Sequence, residues 1–156
     1  MDGFLRKMSL VKSLKFMRSN NSRINNNTQM MKLDKLINRY IKNRNFVKIK
    51  RKFNKVSVDL TGYLLDHNSN FLLIHKEEEL YLNGYAIIRK DQLNAIRHNK
   101  YDKTIENIIL KEGVLDKSIN PNFKIDLSTW KSIFLNLKQA DKHVIIECEK
   151  KKPAEF

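Results

Sequence analysis

Between Lys42 and Lys55 the chain sets seven cations into fourteen residues: Lys42, Arg44, Lys48, Lys50, Arg51, Lys52 and Lys55, with Phe46 and Phe53 interleaved and Tyr40 just ahead of them. Closely spaced cations attract phosphates, and rings set between them offer faces on which bases stack. A solvated basic surface, with Tyr40 and Phe53 turned into a core, accounts for the same residues equally well. Further along, Asp66-His67-Asn68-Ser69-Asn70 is a polar loop. Its Asp66, Asn68 and Asn70 can hold a tight turn by accepting backbone amides, or present a side chain to a base. Arg89 and Lys90 close an apolar run. The Arg89 guanidinium can stack on a base or fork onto a phosphate, with pairing to Asp91 as the competing arrangement.

Catalytic chemistry has no comparable cluster. His143 and Cys148 are five apart, which in an extended segment points them to opposite faces. Glu77 and Glu79 share a face, but at a hairpin tip with no visible acid or base partner they read as solvated charges. The four histidines, His67, His75, His98 and His143, lack ligand spacing, and the four glycines build no phosphate loop. The expectation is a protein that is not an enzyme and that uses no metal and no cofactor.

The charge distribution sharpens this reading. Residues 1–55 hold 16 Lys and Arg against Asp2 and Asp34, so the formal net charge of +14 belongs wholly to the first third of the 156 residues. A basic arm on a neutral body is the electrostatic footprint of a polyanionic partner, whether RNA, DNA or an anionic lipid surface. Hydrophobic residues make up 41% of the chain, enough for a packed core, and no apolar run approaches the roughly 18 residues of a membrane span. The single cysteine, Cys148, excludes an internal disulfide and a multi-thiolate zinc site, and fits a reducing, cytoplasmic setting.

These residues must be positioned by a helix and a series of short strands. Leu33, Leu36, Ile37, Tyr40 and Ile41 recur at helical spacing with Lys35, Asn38, Arg39 and Lys42 between them, which predicts an amphipathic helix from Lys32 to Asn43. At Phe46 the period changes to two. Strands are predicted over Phe46 to Phe53, Val56 to Leu65, Phe71 to His75, Leu80 to Ile88 and Leu93 to Arg97, with turns at Asp66 to Asn70 and at Asn83-Gly84 and a charged Glu77-Glu78-Glu79 tip. Asp102 is the expected cap of a helix through Ile105, Ile108 and Ile109 that stops at Gly113. A second helix, capped by Asp126 or Ser128, carries a stripe of Trp130, Ile133, Phe134 and Leu137. A last strand is expected over His143 to Glu149. The chain thus divides into a basic, disordered leader over 1–30, a helix-and-strand unit over 31–100, and a helix-helix-strand extension over 101–156, whose last strand either adds to the sheet or begins a second lobe that is cut short; a transit peptide and a leader bypassed by a start at Met30 or Met31 are the other readings of residues 1–29.

The stretch Leu60 to Ile96 resembles the Sm-like (LSm) family, a helix followed by five bent antiparallel strands. Gly62-Tyr63-Leu64, Asp66-His67-Asn68-Ser69-Asn70 and Leu73 are similar to its first motif, and Gly84-Tyr85-Ala86-Ile87-Ile88-Arg89-Lys90 to its second. The spacing from Gly62 to Asp66 is two residues short, Asn68 stands where an aromatic is usual, and Lys90 replaces the final glycine. The resemblance implies a small five-stranded barrel of the α+β, mainly β class, with the Asp66 to Asn70 loop facing a base. Combined with the basic arm, it sets the expectation of a non-catalytic RNA-binding or ribonucleoprotein-associated protein. Pairing with another protein, or with a second copy through barrel edges, is the alternative; association with anionic lipid is the third.

Overall fold

In the computed structural model, residues 28, 30–53, 55–113 and 124–147 are described. Most of the basic leader, the loop around Pro121 and Cys148 lie outside the described residues. Two compact units divide between Arg39 and Tyr40. Helix α1 (residues 30–42) has the expected amphipathic pattern: Ile37 is buried, Leu33 and Leu36 half-buried, and Lys35, Asn38 and Arg39 exposed. Its end is closed by amides of Arg44 and Asn45 donating to the carbonyls of Ile41 and Tyr40 at 3.1 and 3.0 Å. This cap needs a left-handed residue, and Arg44 supplies it at φ 50° where glycine is usual.

The second unit is built on five antiparallel strands: β1 (Phe46–Phe53), β2 (Val56–His67), β3 (Phe71–Glu78), β4 (Tyr81–Arg89) and β5 (Leu93–Arg97). All five predicted strands are present. Their order is β4-β3-β2-β1-β5, so β4 and β5 are the two edges and do not pair with each other. The expected closed barrel is therefore an open sheet. A 3₁₀ turn (Lys90–Gln92) carries the chain from one edge to the other, and the five residues of β5 spend their hydrogen bonds on β1.

β2 joins the two halves of this sheet. Residues Val56 to Tyr63 pair with β1, and Thr61 to His67 pair with β3, so only Thr61, Gly62 and Tyr63 are held on both sides. Gly62 adopts φ 144°, and a Cβ there would meet the His75 carbonyl oxygen at 2.0 Å. Only a residue without a side chain lets the two backbones approach this closely.

The β3–β4 turn falls at Glu79 and Leu80, which adopt φ 52° and 68° between the paired Glu78 and Tyr81. The expected turn at Asn83-Gly84 instead lies inside β4. There Lys76 faces two residues, Asn83 and Gly84, and Gly84 at φ 68° makes a bulge of the glycine type. The same conformation that marks glycine in a turn also serves a bulge, which is why the dipeptide misleads.

Two helices cover parts of the sheet. Helix α2 (Lys100–Lys111) starts from Asn99, whose side chain accepts the Tyr101 and Asp102 amides while Asp102 accepts the Asn99 amide at 2.8 Å. Asn99 is thus the cap, and Asp102 its reciprocal partner in a capping box. Ile109 and Ile105 of α2 pack with Phe46, Tyr63 and Leu82. Helix α3 (Trp130–Gln139) is capped by Thr129, which accepts the Ser132 amide, in place of the expected Asp126 or Ser128. Asp126 instead binds the Ser128 amide and hydroxyl. Ile133, with Ile125 and Leu127, packs on Phe71 and Leu73.

The expected final strand is absent from residues 142–147, and the rest of it lies outside the described residues. Ile145 is 95% exposed, and Glu147 reaches the sheet through its side chain, on Arg51, without joining a backbone ladder.

Replacing Gly62 by Ala is expected to cost on the order of 3 kcal/mol, since both strain and overpacking apply. Urea unfolding followed by circular dichroism measures it. A loss under about 1 kcal/mol would mean that β2 and β3 can separate without penalty.

Candidate nucleic-acid interface

Alternation along β1 puts Lys48, Lys50 and Lys52 on one face and Val47, Ile49, Arg51 and Phe53 on the other. Register then sets Thr61, Asp59 and Ser57 of β2 and Arg97 and Ala95 of β5 beside the three lysines. The same face begins with Phe46 and Tyr63, whose rings meet edge to face at 5.5 Å beneath α2. Past that pair, Lys50 and Lys52 are exposed and Lys48 is half-buried.

Asp59 is the acid set among these cations. Lys48 Nζ lies 2.7 Å from its Oδ2. That hydrogen bond, aided by the charges of Lys48, Lys50 and Arg97, holds the Asp59 carboxyl below its ordinary value. Arg97 also approaches the buried Asp102 carboxylate, Nε to Oδ2 at 3.7 Å. Lys42, Arg44 and Lys55 are exposed near the two ends of β1.

Arg51 departs from the group. Its side chain is 12% exposed, lies over the Phe53 ring at 5.0 Å and pairs with Glu147 at 2.9 Å. Nε finds no partner among the described residues. A cation committed in this way is not open to phosphate.

At the other end of the sheet the loop residues do come together, chiefly to hold one another. Asn68 Oδ1 accepts the amides of Asn70 and Phe71 at 2.8 and 2.7 Å, and its Nδ2 donates to the Leu127 carbonyl. Lys90 is 6% exposed, and its Nζ donates to the Asn68 carbonyl at 2.7 Å and to His67 Nδ1 at 3.1 Å. An ammonium can only donate, so His67 accepts on Nδ1. Asp66 Oδ1 accepts the His67 amide at 2.8 Å. Arg89 pairs with Asp91 through both Nε and a terminal nitrogen, the competing arrangement foreseen for it. Asp66, Asn70 and Arg89 remain exposed.

Eight of the twelve expected residues gather in two places, with Lys42, Arg44 and Lys55 at the ends of β1 and Arg51 on its opposite face. Lys48, Lys50 and Lys52 run from the middle of β1 toward the β1–β2 turn, whereas Asp66, Asn68, Asn70, Arg89 and Lys90 gather around the β2–β3 turn at the far end of β2. Arg97 joins the first group only through strand register, which no spacing along the sequence discloses. Among the described residues, no three His, Cys, Asp or Glu side chains are placed to hold a metal ion, and no helix is long and apolar enough to cross a membrane. No protein-family model, curated protein or solved structure matches the chain.

Two outcomes follow from these contacts. Asn68→Ala should lower stability by about 1–3 kcal/mol in chemical unfolding, because buried partners lose their bonds; a change under about 0.5 kcal/mol would show that the loop is held without it. The Lys48–Asp59 contribution is present above the unfolded carboxyl value near 3.8 and is lost as pH falls through the lower folded value. Carbon-detected NMR titration of Asp59 should show a midpoint below 3.8, and a midpoint at or above it would contradict the pairing.

Proposed function

We propose that this chain is a non-catalytic RNA-binding or ribonucleoprotein-associated module whose primary contact surface is the basic face of β1. The observation that carries this reading is the alignment of Lys48, Lys50 and Lys52 with Arg97 across the strand pair, answered at the surface by Asp59. Attraction to phosphate needs no base recognition, and several cations on one rigid face act together. The concentration of the whole surplus charge in residues 1–55 supports the same direction. Kinship with Sm-like proteins belongs to this proposal as well. A helix followed by five antiparallel strands, with Gly62 at the close approach of the long second strand, supports it.

The second reading is a protein-interaction or self-assembly module. The two edges, β4 and β5, unpaired among the described residues, favour it, since an edge offers free backbone groups to another strand. Tyr81 and Tyr85 are exposed on β4.

Salt dependence of binding to a labelled single-stranded RNA separates the two. If Lys50, Lys52, Lys55 and Arg97 each meet a phosphate, affinity should fall roughly 50-fold between about 50 and 200 mM salt. Changing Lys48, Lys50 and Lys52 together to Glu should abolish binding while the circular dichroism spectrum stays unchanged. Undiminished affinity in that variant removes β1 as the contact surface. Absence of binding at low salt, with dimers in sedimentation, favours the edge-pairing reading.

A further inference from the structure

The α3 helix places two large rings at the surface where an ordinary core stripe would hide them. Trp130 and Phe134, one helical turn apart, lie with ring planes 20° apart and centroids 5.8 Å apart, and remain 42% and 38% exposed. Their neighbour Ile133 is buried, so the helix is seated and these rings are left open on a fixed element. Phe71 of β3 meets the indole edge to face at 4.7 Å and fixes its tilt from below. Rings held this rigidly lose little freedom when a flat partner stacks on them.

The charges around the rings select among flat partners. α3 carries Lys131 and Lys138, both exposed, and has no acid within its length. Arg89, directly across from Phe71 on β4, is 54% exposed, with its charge shared with Asp91. An aromatic pair flanked by lysines matches a strand that alternates bases with phosphates, whereas an apolar protein surface would leave those lysines facing nothing that repays their desolvation.

We propose that Trp130 and Phe134 form a base-stacking platform for single-stranded RNA, with Lys131 and Lys138 placed to meet the adjoining phosphates. This rests on the RNA-binding reading above and adds a second, sequence-tolerant contact on α3, distinct from the β1 lysines. It does not use the Asp66 to Asn70 loop.

Trp130 is the only tryptophan of the chain, so its fluorescence reports on this site alone. Three probes are titrated: a single-stranded RNA oligonucleotide, an abasic oligonucleotide of equal length, and polyphosphate. RNA should quench the indole emission, and the two base-free polyanions should leave it nearly unchanged. Anisotropy of labelled RNA reports binding separately. Trp130→Leu, which keeps an apolar side chain over Phe71, and Phe134→Leu should each weaken that binding about tenfold with a smaller loss for the abasic strand. RNA bound with normal affinity, without quenching and without effect of either variant, overturns the platform and leaves the β1 reading standing. Equal quenching by polyphosphate overturns it too, since stacking would not be its cause. Emission that changes with protein concentration alone marks the rings as a contact between copies and likewise overturns it. RNA bound by neither the parent chain nor any variant defeats both readings together.

Discussion

Three residues of one strand hold the sheet together. β2 is long enough to serve two neighbours, but β1 and β3 overlap on it only at Thr61, Gly62 and Tyr63. At the centre of that overlap the His75 carbonyl fills the space a side chain would occupy. Around it the contacts are satisfied in layers: the Thr61 hydroxyl donates to the Glu77 carbonyl, and Tyr63 is buried against Phe46 and Ile109. The Tyr63 hydroxyl has no partner among the described residues, and its burial, with the nearby Glu106 and Glu77, raises its pKa well above the ordinary tyrosine value. The joint is therefore apolar in substance even where its residues are polar in name.

This joint also sorts the surface chemistry. On one side lie β1, β5 and the first half of β2, bearing Lys48, Lys50, Lys52 and Arg97. On the other lie β3, β4 and the second half of β2, bearing the β2–β3 turn and, packed on it, α3 with its open rings. A ligand that touched both would have to pass from β1 across β2 to the elements on β3. Under the proposal of RNA binding, a flexible single strand that reached both would gain affinity from two modest contacts joined by a tether.

Much of the second unit was legible in the sequence because strand alternation leaves a direct trace: five runs of period two became five strands, and Gly62, costly in a strand interior, stands at the close approach. Order along the chain said less about closure, which depends on whether β4 and β5 reach each other and not on any residue's preference. Asn83-Gly84 looked like a turn because the left-handed conformation it favours is shared by a bulge. Glu79 and Leu80 accept the same conformation without any compositional sign of it. Of the candidate site, the common face of Lys48, Lys50 and Lys52 followed from parity alone. The loss of Arg51 to Glu147, ninety-six residues away, and of Lys90 to His67 and Asn68 did not, since each depends on a tertiary partner.

The buried ammonium of Lys90 ties together three parts of the chain that meet nowhere else in sequence. It binds the β2–β3 turn, its own backbone amide donates to Asn70, and the same Asn68 that it holds reaches on to Leu127 ahead of α3. A change at any one of these positions therefore bears on the partners of the others. A hydrophobic residue at position 90 would leave the Asn68 carbonyl needing a new donor, and a reshaped turn would strand a positive charge in the interior. The knot makes the turn a poor place for insertions, so that the short loop should keep its length.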